Sequence, residues 1–324
     1  MKIIVIGCGS VGQRHIKNLS FLRAGEIFGF DIDKRKLKKI KDIAPLVTVS
    51  SDPGIIRKGN FAVFFITTPT ALHVKYALEA AGQGAKIFIE KPLSLDLKNI
   101  DRLIKSIKRK KVISMVGCNM RFYWAIARIR RLLEKNTIGK IISARIEFGQ
   151  YLPDWHPAED YRSLYSAKKH LGGGIILDAI HEIDYALWLF GKVGNIVGIY
   201  GKLSSLRIET EDVAELLLKF KSGPIVSIHM DYIQRTYSRS CRIIGESGTI
   251  FWDFNEHCVK LYLAKKKKWL IFREPKGYKI NDMYIEEAKY FLSCLKNKRD
   301  TFNNVADATK TLKVALAVKT HNYA

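Results

Sequence analysis

The feature that most constrains this chain is a glycine-rich turn that joins an apolar strand to a helix near the start. Lys2–Ile6 is a short β-branched run with the composition of a buried parallel strand. It leads into the sequence GCGSVG at residues 7–12, and apolar residues at helical spacing follow over 13–22. A second apolar run, 27–31, ends on the carboxylate of Asp31. A strand, a tight turn, a helix and another strand in this order predict an α/β fold with a parallel sheet.

The glycine spacing G-x-G-x-x-G in this context predicts a dinucleotide-binding turn. Gly7 permits the tight turn, Gly9 lets the backbone approach a pyrophosphate, and Gly12 lets the helix pack close to the strand. The N-terminus of the helix, at Ser10 and Val11, offers backbone N–H groups and the positive end of a helix dipole to phosphate.

Asp31 lies 19 residues after Gly12, near the spacing of about 20 residues expected of a ribose-binding acid. Its carboxylate would accept hydrogen bonds from both ribose hydroxyls and repel a 2′-phosphate, so we expect NAD as the cofactor rather than NADP. Asp33 competes for the same role, and Lys34 and Arg35 could support use of NADP.

The strand and helix alternation continues to about residue 122 and predicts a doubly wound Rossmann domain over 1–122. The binding edge of such a sheet is at the carboxyl ends of its strands, where the sequence places Thr67, Thr68, Pro69, Glu90, Lys91 and Arg121. Residues 123–324 instead show alternating strands separated by turns, which predicts an α+β domain with a large, mostly antiparallel open sheet for substrate binding and oligomerisation. The last helix, 304–320, is expected to pack back near the interface between the domains.

Lys and Arg number 55 against 31 Asp and Glu, a formal net charge of +24. Such an excess of positive charge suggests nucleic acid or an anionic membrane as a binding partner. The densest basic runs, 34–41 and 105–111, coincide with helical spacing of apolar residues, so we interpret them as solvated helix faces. We therefore expect no nucleic-acid partner. We also expect no association with a membrane, since no apolar run approaches the ~18 residues that a membrane-spanning helix needs.

The five cysteines are scattered and form no C-x-x-C pair. This pattern argues against a zinc ribbon and a disulfide framework and favours a reducing cytoplasm. The apolar run at the N-terminus is shorter than the core of a signal peptide. The histidines and carboxylates show no metal-ligand spacing, so no metal is predicted.

Four motifs follow one another along the chain. They are G-C-G-x-x-G with His15 just behind it, T-T-P-x-x-x-H at 67–73, E-K-P at 90–92, and G-G-G-x-x-x-D-x-x-H-E-I-D at 172–184. In this combination, and over nearly its whole length, the chain resembles the glucose–fructose oxidoreductase/inositol dehydrogenase/rhizopine catabolism (Gfo/Idh/MocA) family of NAD(P)-dependent oxidoreductases.

The resemblance implies roles for particular residues. Lys91 matches the active-site lysine of the E-K-P motif, Asp178 and His181 match the catalytic Asp and His, and His73 and Glu90 fall in motifs at the cofactor. In the common family pattern the His comes four residues after the Asp, whereas here it comes three after, and we interpret this as a one-residue shortening.

The implied reaction is hydride transfer between nicotinamide and a secondary alcohol or ketone of a sugar, nucleotide sugar or sugar acid. His181, with an ordinary pKa near ~6.5, would act as the base, and Lys91 would stabilise charge on the reacting oxygen. Asp178 and His181 are expected on one face of a single helix, because residues three apart share a face. Asp178 would orient the imidazole or bind a neighbouring hydroxyl.

Substrate contacts are predicted at Lys91, Arg121, Trp155, His156, Tyr161, Arg162 and Tyr165. The same fold hosts non-enzymatic NAD-responsive regulators and scaffolds, which stay open as the alternative. The free face of the second domain's sheet must be covered, so a homodimer or homotetramer through that sheet is expected. The Lys91–Pro92 bond is a candidate cis peptide.

Overall fold

A computed structural model describes residues 1–155, 157 and 159–320. Their contacts divide the chain into two units, one made of Met1–Asn119 with Asn281–Lys310 and the other of Met120–Ile280 with residues 311–320. The sequence prediction placed a single boundary at 122. In the structure the chain passes from one unit to the other near that point, and it does so twice more, near residues 280 and 310.

The first unit is built on a parallel six-stranded sheet in the order β3-β2-β1-β4-β5-β6. Its elements are β1 Lys2–Ile6, α1 Ser10–Phe21, β2 Glu26–Phe30, α2 Lys34–Ile43, β3 Thr48–Ser50, α3 Ile55–Lys58, β4 Val63–Ile66, α4 His73–Gln83, β5 Lys86–Ile89, α5 Ile100–Lys110 and β6 Ser114–Val116. This order is the predicted doubly wound Rossmann sheet. The carboxyl ends of β1, β4 and β5 are neighbours, which brings the segments that follow these strands to one edge.

The central strands form because their residues are apolar, β-branched or aromatic and are covered on both faces. Val63–Ile66 is fully buried, and Ile4 and Ile6 of β1 and Ile87 and Ile89 of β5 belong to the same core cluster.

The second unit contains an eight-stranded sheet in the order β14-β13-β12-β11-β7-β10-β9-β8. Its elements are α6 Trp124–Glu134, β7 Ile141–Gly149, α7 Ile175–Asp178, α8 Ile180–Phe190, β8 Val193–Gly201, β9 Val213–Phe220, β10 Ile225–Asp231, β11 Ser238–Gly245, β12 Gly248–Asp253, β13 Cys258–Leu263 and β14 Lys268–Arg273. Neighbouring strands pair antiparallel, with the exception of β7 and β10, which pair parallel. The prediction of a large, mostly antiparallel sheet is confirmed.

One face of this sheet is buried and the other is exposed. Along β9, Ala214, Leu216 and Leu218 are buried, whereas the alternating Leu217 and Lys219 are exposed. The period of two residues places the first set toward the helices of this unit and the second on the open face.

The single helix predicted after Gly174 is two helices. α7 ends at Asp178, α8 begins at Ile180, and Ala179 between them has φ −89° and ψ 27°, outside the helical region. The expected shared helix face of Asp178 and His181 is therefore wrong, because the backbone turns between the two residues.

The last two helices are α9 Ile280–Lys296 and α10 Val305–Thr320. The segment between them belongs to the first unit because it pairs with β6. The amide of Val116 donates to the Asn303 carbonyl at 2.8 Å, Asn303 Nδ2 donates to the Val116 carbonyl at 2.8 Å, and the Thr301 hydroxyl donates to the Ser114 carbonyl at 2.6 Å.

All five cysteines are buried free thiols. Of the helices in the described part of the chain, none is both long enough and apolar enough to cross a membrane.

Candidate active site

The glycine turn after β1 has the geometry of a phosphate cradle. Gly7 has φ +95°, and a Cβ there would lie 2.7 Å from the Thr67 carbonyl oxygen. A Cβ at Gly12 would lie 1.9 Å from the Gly7 carbonyl oxygen, so only glycine lets α1 start this close to the strand. At Gly9, by contrast, a Cβ would meet nothing within 4 Å, which leaves the backbone open on one side.

The start of α1 is open to an anion. Gly9 is its N-cap, no side chain caps it, and its first turn contains no acidic residue. The nearby Thr68 Oγ1 is buried and has no hydrogen-bond partner among the described residues. Open backbone N–H groups, an uncompensated helix dipole and an orphaned hydroxyl fit the pyrophosphate of a dinucleotide.

Asp31 and Asp33, the two competing ribose acids, have different contacts. Asp31 is buried at the end of β2, where its Oδ2 accepts from the Cys8 amide and its Oδ1 from the Asp33 amide, both at 2.8 Å. Asp33 caps α2 and forms an ion pair with Arg35 at 3.0 Å, which lowers the pKa of its carboxyl. Each Asp31 oxygen can accept further hydrogen bonds, so Asp31 fits a ribose diol.

Thr67 and His73 connect the strand ends at this edge. The Thr67 hydroxyl donates to the Gly7 carbonyl at 2.6 Å and so fastens the end of β4 to the glycine turn. His73 is buried, and its ring nitrogens lie 2.8 Å from the carbonyl oxygens of Thr68 and Pro92. Burial lowers the pKa of His73. Both ring nitrogens thus contact backbone, and the imidazole holds the segment after β4 against the turn after β5.

Glu90 and Lys91 follow β5 at the same edge. Glu90 Oε1 lies 2.5 Å from Nε2 of the fully buried His15, and Glu90 Oε2 accepts from the Lys91 amide at 3.2 Å. Burial acts to raise the pKa of the Glu90 carboxyl, but the hydrogen bond to His15 and the charge of Lys91 lower it below its usual range. The Lys91–Pro92 peptide is cis. Glu90 thus links the backbone amide of Lys91 to the fully buried His15.

Asp178, in the second unit, is the centre of a hydroxyl cluster. Its side chain accepts from Tyr165 Oη, from Ser166 Oγ at 2.6 Å and from Tyr232 Oη at 3.0 Å, and only 3 % of the residue is exposed. Burial and the charge of Asp178 raise the pKa of Tyr232 well above its ordinary value. The carboxylate accepts three donors, as an ionised acid can.

The glycine run before α7 builds this cluster. A Cβ at Gly173 would lie 2.3 Å from the Tyr165 carbonyl oxygen, and the Gly174 amide donates to the Ser166 carbonyl at 3.1 Å. The run lets the turn that carries Tyr165 pack directly on the start of α7, which brings its hydroxyls to Asp178.

Trp155 lies beside this cluster. Its ring packs edge-on against Tyr232 with centroids 5.3 Å apart, and its Nε1 donates to the Gln150 carbonyl at 3.2 Å. His156, predicted as its neighbour at the substrate, lies outside the described residues. His181 is in the first turn of α8 and is buried, with 8 % exposed.

The other predicted substrate residues have partners away from Asp178. Arg121 forms a buried bidentate ion pair with Asp184, with both N–O distances 2.7 Å. Arg162 is exposed and pairs with Asp160, and Tyr161 Oη accepts from the Arg207 amide at 3.3 Å. Their contacts with substrate stay predictions.

Two cluster members, Ser166 and Tyr232, were not among the site residues predicted from the sequence. Ser166 follows Tyr165 directly, so adjacency was its only signal. Tyr232 comes directly after β10, where alternation continues the buried face of Ile228 and Met230. A polar side chain on a buried face at a strand end is a usable signal for such a residue.

Comparison with family models matches both parts of the chain. Residues 1–118 match a family model described as "Oxidoreductase family, NAD-binding Rossmann fold", and residues 126–251 match one described as "GFO/IDH/MocA C-terminal domain". The chain belongs to the Gfo/Idh/MocA family of oxidoreductases. The resemblance inferred from the motifs is confirmed, and so are the expectations of an oxidoreductase and of NAD as its cofactor.

Named members of the family align over almost the whole chain. Myo-inositol 2-dehydrogenase of Thermotoga maritima is 28% identical, with 98% of this chain and 95% of that protein covered. Scyllo-inositol 2-dehydrogenase (NAD(+)) of Bacillus subtilis is also 28% identical, with 98% and 92% covered. The structure of levoglucosan dehydrogenase in complex with NADH and levoglucosan has a TM-score of 0.87 at 19% identity, with 99% and 96% covered, and shows the shared fold.

Proposed function

We propose that the protein is an NAD-dependent dehydrogenase or reductase that interconverts a secondary alcohol and a ketone on a sugar, nucleotide sugar or sugar acid. The observation that carries this proposal is the placement of Lys91, which follows β5 at the same sheet edge as the glycine turn and whose backbone amide donates to Glu90, the partner of His15. A sensor of NAD would need the glycine turn but has no use for a lysine at this edge. The two inositol dehydrogenases named above support a polyhydroxylated substrate.

Lys91 and His181 carry the acid–base chemistry in this proposal. NAD, when bound, supplies the acceptor for the hydride that leaves the carbinol carbon. The imidazole of His181 takes the hydroxyl proton, and the ammonium of Lys91 stabilises the charge that develops on the oxygen. In the reductive direction the same groups return the proton to the oxygen.

Asp178 acts in this proposal by organising polar groups. Its carboxylate fixes the hydroxyls of Tyr165, Ser166 and Tyr232, and Trp155 packs against the cluster. Ser166 and Tyr232 are buried, whereas Tyr165 and Trp155 are half-buried, so a fixed hydroxyl and an aromatic ring are offered to a ligand with several hydroxyl groups and a carbon ring.

A screen of NADH formation over inositols, sugars, sugar acids and nucleotide sugars tests the proposal. With an active substrate, Lys91→Ala and His181→Ala should each lower kcat by at least about 100-fold, as expected for general acid–base groups. Lys98→Ala is a matched control, because Lys98 is exposed and its loss changes the net charge by the same amount.

NAD binding, measured by calorimetry, should change little in Lys91→Ala, since the glycine turn and Asp31 are intact. Turnover by Lys91→Ala at the rate of the Lys98→Ala control would contradict the assignment. Tight NAD binding with no turnover over the whole panel would favour the alternative, an NAD-responsive regulator.

We further propose a homodimer or homotetramer in which a second copy covers the open face of the eight-stranded sheet. This face exposes Ile244, Trp269 and Ile271, of which Trp269 is 50% and Ile271 is 52% exposed. Exposed apolar groups in one patch of a sheet are typical of an interaction surface.

A further inference from the structure

A pocket of about 790 Å³ lies in the first unit, away from the edge that carries the glycine turn. Lys86 is the first residue of β5 and Ser114 the first of β6, and both line the pocket. The pocket is therefore at the amino-terminal edge of the parallel sheet, whereas Gly7 and Lys91 lie at the carboxyl edge. None of the roles assigned above uses it.

The pocket is strongly cationic. Lys86, Lys108, Lys111 and Lys298 line it together with a single carboxylate, Asp300. Across the described part of the chain, these four lysines form no ion pair with any carboxylate. Uncompensated ammonium groups around a concave, partly apolar wall concentrate an anion, because the low-polarity wall screens less than water does.

The rest of the wall is largely apolar. Ile104 and Ile107 of α5, Leu295 of α9 and Val305 of α10 contribute aliphatic surface. The volume and this mixture of a mostly apolar lining with a few charged groups are those of a small-molecule site. A simple inorganic anion would leave the aliphatic part of the pocket unused.

The lysines, and not the end of α10, supply the attraction. The side chain of Asn304 already accepts from the Asp307 amide at 3.0 Å, and Asp307 stands in the first turn of the helix. This helix end is therefore capped and partly neutralised.

We propose that this pocket binds an organic phosphate with an apolar body, the phosphate toward the lysines and the body against the aliphatic wall. Four ammonium groups favour a dianion over a singly charged carboxylate, since the Coulomb attraction grows with the charge of the ligand. Lysine binds phosphate as a point charge without the planar geometry that arginine imposes.

Calorimetric titration with 1-naphthyl phosphate tests the proposal on the full-length protein saturated with NAD, so that the dinucleotide site does not compete. At physiological ionic strength, this probe should bind at least about tenfold more tightly than 1-naphthol, which lacks the charge, and than inorganic phosphate, which lacks the ring. 1-Naphthoate gives the carboxylate comparison and should bind more weakly than the phosphate.

Two double variants locate the site. Lys86→Gln with Lys108→Gln should weaken binding of 1-naphthyl phosphate by about tenfold or more, the effect expected from losing charge-assisted contacts. Lys105→Gln with Lys110→Gln removes the same charge from α5 outside the pocket and should change binding by less than about twofold.

Equal losses in the two double variants would overturn the proposal in favour of general attraction by a protein of net charge +24. Binding of 1-naphthol as tight as that of 1-naphthyl phosphate would overturn it as well. Unchanged NAD affinity in both variants would show that the Rossmann unit is intact, so this test and the test of the proposed dehydrogenase activity can fail separately.

Discussion

At the scale of single residues, we expect Asp31 to determine the preference for NAD over NADP. Replacing it by serine removes both the acceptor for the ribose hydroxyls and the charge that repels a 2′-phosphate. We expect the affinity for NADH to fall by about 10- to 100-fold in Asp31→Ser, because charge-assisted hydrogen bonds are lost. The affinity for NADPH should fall less or rise. Calorimetric titration with each nucleotide measures this ratio without knowledge of the substrate.

Asp33→Ser is the matched control for this prediction. It removes a carboxylate two residues away together with its ion pair to Arg35, keeps a side-chain oxygen that can cap α2, and leaves Asp31 in place. The NADH to NADPH ratio should stay at the wild-type value. A shift of the ratio in Asp33→Ser but not in Asp31→Ser would make Asp33 the ribose acid instead.

Residue contacts could be predicted where they are local in sequence. The glycine turn and Asp31 belong to one strand–helix–strand unit, so spacing alone places them. The partners of Asp178 come from two segments, Tyr165 with Ser166 and Tyr232, and Tyr232 is 54 positions away along the chain. The ion pair of Arg121 with Asp184 spans 63 positions. Rules of residue spacing do not apply over such sequence separations. Only the structure shows which of these polar groups contact each other.

At the scale of elements, His229 connects β9 and β10 on the open face of the second sheet. Its ring contacts Glu215 at 2.6 Å and Asp231 at 3.0 Å, and Glu147 is its register partner on β7. The hydrogen bond to Asp231 raises the pKa of His229 to about 9 against the opposing effect of partial burial, and Glu215 adds to the rise. A protonated imidazole therefore joins the two strands at neutral pH.

This pKa predicts a pH-dependent contribution to stability. The folded-state pKa lies above the ordinary value of 6.5, so the stabilisation is full below about pH 6.5 and is lost as the pH rises through about 9. The unfolding free energy of wild type relative to His229→Gln should fall by about 1 kcal/mol between these limits, after allowance for solvent screening. Urea unfolding of both proteins across this range measures the difference.

Ser227→Ala serves as the control, because Ser227 is on β10 of the same sheet and has no titratable side chain. Its stability difference from wild type should not vary with pH in the same window. A constant difference for His229→Gln as well would show that His229 does not titrate as an interstrand link.

Most strands could be predicted, and the exceptions have a physical reason. Apolar alternation marks β7 and β9 with the bounds that the structure shows. It does not specify which strands pair, and the parallel pairing of β7 with β10 depends on the long segment between them. The break at Ala179 was missed because the apolar spacing continues through it at helical period.

At the scale of the whole molecule, the chain returns to its first unit late. Asn303 and Thr301 pair with β6 across 187 positions of sequence, and both are buried polar residues. The composition of the segment does not predict that it belongs to the first unit. Its position depends on hydrogen bonds to β6, which form only in the folded sheet. The distribution of the charge also depends on the fold. The net charge of +24 can be counted from the sequence, but only the structure shows that four lysines line one pocket.

Assembly of several copies is a prediction at this scale, and it rests on the exposed apolar residues of the open face of the eight-stranded sheet. Ile244 and Ile271 are exposed there on β11 and β14, and lysines in their place would put charge into an apolar contact. We expect the wild type to elute as a dimer or tetramer and Ile244→Lys with Ile271→Lys to elute as a smaller species, measured by light scattering after size exclusion. Burying unpaired charges at a subunit contact costs several kcal/mol, enough to dissociate it at micromolar concentration.

Phe21→Lys with Leu46→Lys is the control for this prediction, since both side chains are more than two-thirds exposed, lie in the first unit and are outside the sheet. It adds the same charge and should leave the mass unchanged. A wild-type protein that is monomeric at micromolar concentration, or equal dissociation by both double variants, would contradict assembly through this face.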